Sequence, residues 1–236
     1  MYAQLENDGN DPVQRGEDTP AYFALEKAGV LSTQYRRDST AEIFTGEDIK
    51  ANSDSYNNWK VWLSYNWLPV IGCIAHNFIV SEFFVEAGHV GLLMDSNSRY
   101  LFAEPGMHNI SDPFMQIVGD SVPLIGHIEH GDRTIVIVEQ GFIGYASDNG
   151  QPVLLPPGIH VWMSNSLRFV KSHPLDDHCI KFGPYTLLTV DEGYAAVTQN
   201  NGKQVILPGG HTHFLSHKNW KFEKFITLKI NTDDLE

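Results

Sequence analysis

Cysteine and basic residues are both scarce in this 236-residue chain, and each shortage excludes a class of protein. Two cysteines, Cys73 and Cys179, are too few for a disulfide framework or a four-thiolate zinc site. Sixteen Lys and Arg against 29 Asp and Glu give a formal net charge of −13. Because binding to a phosphate backbone requires clustered basic residues, we expect no nucleic-acid partner.

Sequence signals for secretion and for catalysis are also missing. The first twenty residues hold acidic side chains and no apolar signal-peptide core, which favours a cytoplasmic location. The chain has no Gly-x-Ser-x-Gly nucleophile motif and no phosphate-cradling loop. Cys73 lies in an apolar run and Cys179 follows His178; such thiols are commonly buried and structural. We predict that the protein is not an enzyme and has no cofactor.

One uncharged run, residues 61–81, is long enough to cross a bilayer as a helix. Its segment 69–76 matches residues 123–130, which carry a charge in a polar neighbourhood. A segment that recurs in such a setting favours a pair of buried strands over a membrane helix. The run also contains residues that are unfavourable in a membrane helix, namely Asn66, Pro69, Gly72, His76 and Asn77.

Three stretches, residues 80–110, 133–162 and 185–214, resemble one another. Their turn glycines are 53 and 52 residues apart, and their Pro-Gly pairs, each followed by a histidine, are 52 and 51 residues apart. Recurrence at so many positions indicates a tandem repeat. The marked turn positions are Gly88, Gly91, Pro105, Gly106, His108, Gly141, Gly144, Pro157, Gly158, His160, Gly193, Pro208, Gly209 and His211.

Each repeat has the pattern of short antiparallel strands. Apolar, β-branched runs such as residues 134–138 have strand composition, and a glycine that tolerates positive φ follows them. Asn149-Gly150 and Asn201-Gly202 lie between apolar runs, which is typical of two-residue hairpin turns. We predict an all-β fold of three tandem antiparallel β-meander modules of about 52 residues each.

The modules are placed at residues 61–115, 116–168 and 169–236, the third with a long C-terminal strand over residues 220–230. Residues 1–60 are predicted to form a flexible acidic arm with one short helix, because Thr19 can cap a helix that begins at Pro20. Alternatively, the arm orders on a neighbouring subunit through its apolar anchors Tyr22, Phe23, Tyr35 and Phe44.

The repeats resemble those of the major vault protein and the N-terminal part of the SPFH (stomatin/prohibitin/flotillin) domain. Residues 138–144 (Val-Glu-Gln-Gly-Phe-Ile-Gly) and 154–160 carry the resemblance. The other two stretches repeat this pattern more loosely, and in the third stretch Ala196 takes the place of the second glycine. The resemblance implies many copies side by side and no catalytic residues within the repeats.

We therefore expect a structural protein that self-assembles through lateral β-module contacts into a large cage, tube or lattice. Its partners would be further copies of itself, since meander modules leave strand edges that a neighbour must cover. A membrane-surface scaffold of the SPFH type is an alternative. Trp62 and Trp67 suit a membrane interface, whereas the acidic charge opposes contact with anionic lipid.

A cupin-like metal-binding protein is the second alternative. His211 and His213, with His217 beyond, resemble a His-x-His strand on which two imidazoles reach one metal. The positions where a cupin has its glutamate hold Lys218 and Asn219. A histidine repeated after each Pro-Gly pair is more simply explained as a hydrogen-bonding cap for the turn, so no metal site is predicted.

Overall fold

The computed structural model of the protein describes residues 19–51, 81–110, 112 and 114–228. Helix α1 (Pro20–Lys27), capped by the Thr19 side chain as predicted, and a 3-10 turn (Thr40–Ile43) are followed almost entirely by strands. The all-β prediction is confirmed. The uncharged run up to residue 80, Trp62, Trp67, Cys73 and residues 229–230 of the predicted C-terminal strand lie outside the described residues.

The strands are short and follow the predicted apolar runs. Strand β1 (Arg36–Arg37) belongs to the N-terminal arm. The first repeat contains β2 (Ser81–Val85), β3 (His89–Met94), β4 (Tyr100–Ala103), β5 (Gly106–Ile110) and β6 (Gln116–Pro123). The second contains β7 (His127–His130), β8 (Arg133–Val138), β9 (Phe142–Asp148), β10 (Gln151–Leu155), β11 (Gly158–Met163) and β12 (Leu167–Pro174). The third contains β13 (Cys179–Phe182), β14 (Tyr185–Val190), β15 (Tyr194–Asn200), β16 (Lys203–Pro208), β17 (His211–Leu215) and β18 (Trp220–Thr227).

Within each repeat the strands divide between two small sheets, so the predicted meander is wrong in its pairing. The strand before the turn glycine pairs across the repeat with the strand after the Pro-Gly turn, as β2 does with β5 and β14 with β17. The strand after the glycine lies at the centre of the second sheet, in the orders β4-β3-β6, β10-β9-β12 and β16-β15-β18. All these pairs are antiparallel.

The three turn glycines share one local geometry. Gly88, Gly141 and Gly193 have φ of 78°, 82° and 84°, a region that favours glycine. In each turn, the backbone N–H of the residue after the glycine donates to the backbone carbonyl of the acidic residue two positions before the glycine, at 3.1, 3.1 and 3.2 Å. Each glycine carbonyl also accepts from a leucine N–H further along the chain, at 2.9, 2.8 and 2.8 Å. The sequence correspondence is therefore matched in backbone conformation.

The Asn-Gly hairpins form as predicted. Asn149 and Gly150 have φ of 48° and 82°, and Asn201 and Gly202 have φ of 50° and 85°. Each pair forms a two-residue loop, since Asp148 pairs with Gln151 and Asn200 with Lys203. Positive φ at both central residues is the condition that type I′ turns impose.

In the first two repeats, the second glycine of the motif lies very close to a neighbouring side chain. A Cβ on Gly91 would lie 2.9 Å from the Ala103 Cβ, and one on Gly144 would lie 2.9 Å from the Val138 Cγ2. Both distances are shorter than real Cβ contacts, so glycine is required there. In the third repeat, Ala196 is fully buried at this position.

The module boundaries differ from the predicted ones. Strand β6 pairs with β3, so the predicted boundary at residue 116 separates β6 from the repeat to which it belongs. Strand β12 pairs with β9, and the predicted boundary at residue 169 lies inside β12. Contacts divide the described chain into two compact units in place of three. Unit I contains residues 35–137 and 159–165, and unit II contains residues up to 34, 138–158 and 166 onward.

Unit I holds two apolar layers on opposite sides of sheet β4-β3-β6. On one side Val90, Leu92 and Phe102 pack against Ile128 and Ile135 of the sheet β1-β11-β8-β7. On the other side Leu93, Leu101 and Ala103 pack against strands β2 and β5. Alternate residues of β3 and β4 therefore enter different cores, as the pleat of a strand dictates.

Unit II repeats this arrangement. Ile143 and Leu154 of sheet β10-β9-β12 pack against Ile180, Phe182 and Leu187 of sheet β13-β14-β17. Helix α1 completes this core with buried side chains. A second core lies between sheet β13-β14-β17 and sheet β16-β15-β18, and contains Leu188, Val190, Ala196, Leu207 and Leu215.

The described part of the N-terminal arm packs on its own chain. In unit II, Tyr22 of α1 is buried in the core, and the Ser32 N–H donates to the Leu154 carbonyl at 2.8 Å. In unit I, Tyr35 contacts Trp162 with ring centroids 5.7 Å apart, and Phe44 lies against the core. Residues 19–51 of the predicted arm therefore pack on the strands of their own chain.

Unit I also buries an ion pair that links the arm to a strand. Both Asp48 carboxylate oxygens accept from the Arg133 guanidinium, Oδ2 at 2.8 Å from Nη2. Oδ1 also accepts from the Phe102 N–H at 2.8 Å, and Oδ2 accepts from the Thr45 N–H at 2.6 Å. The guanidinium lies over the Phe102 ring, 4.4 Å from its centroid. Every strong acceptor site on this buried carboxylate therefore has a partner.

We expect the stability of the protein to fall in acid partly through Asp48. Burial raises the pKa of this carboxyl, but hydrogen bonds from Arg133 and from the Phe102 and Thr45 N–H groups hold it below its usual 3.8. A carboxyl with a lower pKa in the folded state stabilises the fold above its unfolded pKa and loses that contribution as the pH falls. Denaturant titrations between about pH 5 and pH 2 should show this loss in the wild type.

The Asp48→Asn variant isolates this contribution. Other carboxylates titrate in both proteins, so they cancel when the two pH profiles are subtracted. The difference in unfolding free energy should therefore shrink as the pH drops below 3.8. Two parallel profiles would contradict the assignment.

Candidate functional site

The histidines after the Pro-Gly turns serve the turns themselves. His108 is buried and stacks on Phe83 with ring centroids 5.0 Å apart. Its Nε2–H donates to the Glu104 carbonyl, which lies 2.6 Å away at the start of the turn. His160 is likewise fully buried, on β11. This placement fits the capping interpretation of the repeated histidine.

In the third repeat the capping histidine is His213, and the sequence correspondence with His211 is wrong. His108 pairs with Phe83, two residues before the end of β2, and His213 pairs with Leu188, two residues before the end of β14. The His213 Nε2–H donates to the Pro208 carbonyl at 2.9 Å. The turn after Pro208-Gly209 is longer, because Gly210, with φ of 76°, precedes the strand.

The described residues contain no group of three His, Cys, Asp or Glu side chains that could share a metal ion. The rings of His211 and His213 are 6.3 Å apart, and the His213 Nε2 is already engaged by a carbonyl. His217 lies against Trp220 with ring centroids 6.0 Å apart. The three weak metal candidates are therefore not brought together around one point.

Cys179 is not arranged as a nucleophile. Its side chain is half-buried at the start of β13, and burial raises the pKa of the thiol. A raised pKa reduces the thiolate fraction that nucleophilic attack requires. The neighbouring His178 is engaged elsewhere, since its Nε2 lies 2.9 Å from an Asp191 carboxylate oxygen.

Both units contain a cleft among their described residues. The cleft of unit I, about 660 Å³, is lined by charged residues such as Arg37, Glu47 and Asp132, and by Trp162. The cleft of unit II, about 510 Å³, lies beside the start of α1 and is mainly apolar. Neither lining includes a cysteine or a histidine, so neither presents a nucleophile with a neighbouring imidazole base.

One strand position is buried in the first two repeats and exposed in the third. Gly91 pairs with Ala103, Gly144 with Leu155 and Ala196 with Leu207. The residues immediately before Ala103, Leu155 and Leu207 therefore occupy equivalent positions in the three repeats. These residues are Phe102, Leu154 and Ile206. Phe102 and Leu154 have no exposed surface, whereas 61% of Ile206 is exposed.

The strand edge at this position differs as well. In unit I the Phe102 carbonyl accepts from the Ile49 N–H at 3.0 Å, and in unit II the Leu154 carbonyl accepts from the Ser32 N–H at 2.8 Å. The arm thus covers the edges of β4 and β10. Within the described ranges, β16 has a strand neighbour on its β15 side alone.

We call the side of sheet β16-β15-β18 that carries Ile206 the tail face. Ile206 and Lys224 both pair with Val197, so all three side chains lie on this face. Lys224 is exposed and Ile226 is half-buried. The equivalent faces of β4-β3-β6 and β10-β9-β12 are the ones that enter the cores around Phe102 and Leu154.

A second apolar surface lies on sheet β2-β5, which we call the head face. Phe83 and Val85 point into the unit I core, so Phe84 and its partner Met107 lie on the opposite side. Phe84 is 55% exposed and Met107 39% exposed. The corresponding sides of β7-β8 and β13-β14 are buried.

Comparison with protein-family models, with curated proteins and with solved structures gives no match at a significant level. Of the helices in the described ranges, none combines the length and apolarity that a membrane crossing requires. The surfaces of this chain must therefore be interpreted from their own chemistry. The most distinctive of them are the head and tail faces.

Proposed function

We propose that this protein is structural and that it self-associates through its β sheets into an assembly of many copies. The observation that carries the proposal is Ile206. Its counterparts Phe102 and Leu154 are fully buried in intramolecular cores, while Ile206 is largely exposed on the tail face. Ile206 is exposed at a position that is buried in the other two repeats, beside a strand edge that has no neighbour among the described residues, and this favours association with another molecule.

Further support comes from the way this chain covers its other edges. Residues of the arm bond to β4 and β10 through their backbone groups. Stacked repeats generally need a polar outer surface where the array is exposed, because an apolar outer surface promotes association. The tail face instead carries Ile206, and the head face carries Phe84 and Met107.

Light scattering coupled to size-exclusion chromatography tests the proposal. We expect the purified full-length chain to have a concentration-dependent mass well above its 26.5 kDa. Negative-stain images should then show particles built from repeated units. A monodisperse 26.5 kDa species at tens of micromolar would overturn self-association.

A further inference from the structure

Both units use the same kind of interface. In unit I, sheet β4-β3-β6 of the first repeat packs face to face on the sheet that contains β7, β8 and β11 of the second repeat. In unit II, sheet β10-β9-β12 of the second repeat packs on sheet β13-β14-β17 of the third repeat. The rule is that the second sheet of one repeat stacks on the first sheet of the next.

We propose that this interface continues between molecules, with the tail face of one molecule stacked on the head face of the next. The tail face belongs to the second sheet of the third repeat, and the head face belongs to the first sheet of the first repeat. The tail face is therefore one side of such a sheet-on-sheet interface, and the head face is the other side. This inference rests on the proposed self-association and specifies its contact.

Ile206 occupies a position that the intramolecular interfaces use, and Phe84 lies on the strand side that they use. Ile206 corresponds to Phe102 and Leu154, which contact the following sheet within their cores. Phe84 lies four residues before the turn glycine, as Ile137 and Thr189 do in the other repeats, on the strand side that holds Ile135 and Leu187 there. Stacking would remove Ile206, Phe84 and Met107 from water, at about 25 cal/mol for each Å² of apolar surface buried.

The two faces also carry opposite charges. Glu82, exposed on the head face, corresponds to Ile135 of β8 and Leu187 of β14, both buried in the intramolecular interfaces. Lys224 is exposed on the tail face. Like charges on stacked faces would be unfavourable, so this complementarity favours a head-to-tail stack over a head-to-head or a tail-to-tail one.

A head-to-tail contact is heterologous, because different surfaces of the two molecules meet. Such contacts produce closed rings when the rotation between molecules closes, and open filaments when it does not. The inferred contact therefore predicts either closed rings or open filaments that grow at both ends, and no symmetric pair of molecules.

Two single variants and their mixture test this contact. Ile206→Glu should disable the tail and Phe84→Glu the head, each weakening self-association by roughly tenfold or more. Both side chains are largely exposed, so the fold should be retained, as circular dichroism and thermal unfolding can verify. Ile125→Glu and Phe114→Glu are matched controls, because these residues are 71% and 72% exposed and lie on neither face.

The mixture distinguishes a heterologous contact from a symmetric one. Each variant retains one functional face, so an equimolar mixture of Ile206→Glu and Phe84→Glu should form a one-to-one dimer that does not extend. Light scattering should show a mass twice the 26.5 kDa of one chain. If Phe84→Glu alone formed dimers, the contact would be tail to tail and the inference would be wrong.

Charge reversal gives an independent test. Glu82→Lys and Lys224→Glu should each weaken assembly, and the double variant should restore it, with the salt dependence expected of an ion pair. If the wild type assembles and the Ile206, Phe84 and charge variants all assemble equally well, self-association is supported and the head-to-tail contact is wrong. If the wild type is monomeric, self-association and the head-to-tail contact are both wrong.

Discussion

Replacement of Arg133 by methionine should lower the free energy of unfolding by about 3–5 kcal/mol, because it leaves the buried Asp48 carboxylate without its counter-ion. Methionine preserves much of the side-chain volume, so the loss would come mainly from the uncompensated charge. Urea denaturation followed by tryptophan fluorescence at neutral pH measures the change.

Arg99→Met is the matched control. Arg99 also forms an ion pair, with Asp95 at 2.7 Å, but the arginine side chain is exposed to solvent. An ion pair whose cation is exposed contributes little, and Asp95 keeps its hydrogen bonds from the Asn97 and Arg99 N–H groups, so the stability of this variant should stay close to that of the wild type. Equal losses in the two arginine variants would contradict the importance assigned to burial of the Asp48–Arg133 pair.

Alanine at the three corresponding positions should have unequal effects. We expect Phe102→Ala to cost about 3–5 kcal/mol of unfolding free energy and Leu154→Ala about 2–5 kcal/mol, since each leaves a cavity in a core. Ile206→Ala should cost less than about 1 kcal/mol, because most of this side chain is already in water. Chemical denaturation of each variant measures these changes.

These measurements should be made in the Phe84→Glu background, so that association does not contribute to the apparent stability. Leu101→Ala offers a control for truncation of a neighbouring core residue in unit I. A loss for Ile206→Ala as large as that for Leu154→Ala would mean that Ile206 is buried within the single molecule. The tail face would then not be available to a second molecule.

Much of the local structure could be predicted from the sequence, because its signals act over a few residues. The turn glycines, the Asn149-Gly150 and Asn201-Gly202 hairpins and the helix that follows Thr19 all depend on backbone conformations that few residues adopt. Apolar β-branched runs between these signals become strands for the same local reason.

The pairing of the strands depends on contacts that the sequence pattern does not reveal. Nothing in the composition of β4 shows that its edge is covered by Ile49, more than fifty residues earlier in the chain. The same holds for β6, which pairs with β3 although residue 116 is the predicted start of the following module. Backbone hydrogen bonds are identical for every sequence, so they carry no residue-specific signal.

The candidate surfaces show this limit most clearly. Leu154 and Ile206 are both aliphatic residues before a leucine and a proline, yet one is buried and the other is exposed. The capping role of His213 was concealed by a longer turn, since counting from the Pro-Gly pair leads to His211. Asp48 and Arg133 are 85 positions apart, and neither belongs to a motif that would connect them.

The division into units I and II cuts through the second repeat, and the chain passes between them four times, near residues 34, 137, 158 and 165. The sequence repeats are therefore not the compact units of the structure. A protease that nicks the backbone once should yield fragments that stay bound under native conditions and separate in denaturant. Deletion of about one repeat length of sequence would be tolerated only if the new junction joined equivalent strand positions in two of the cores.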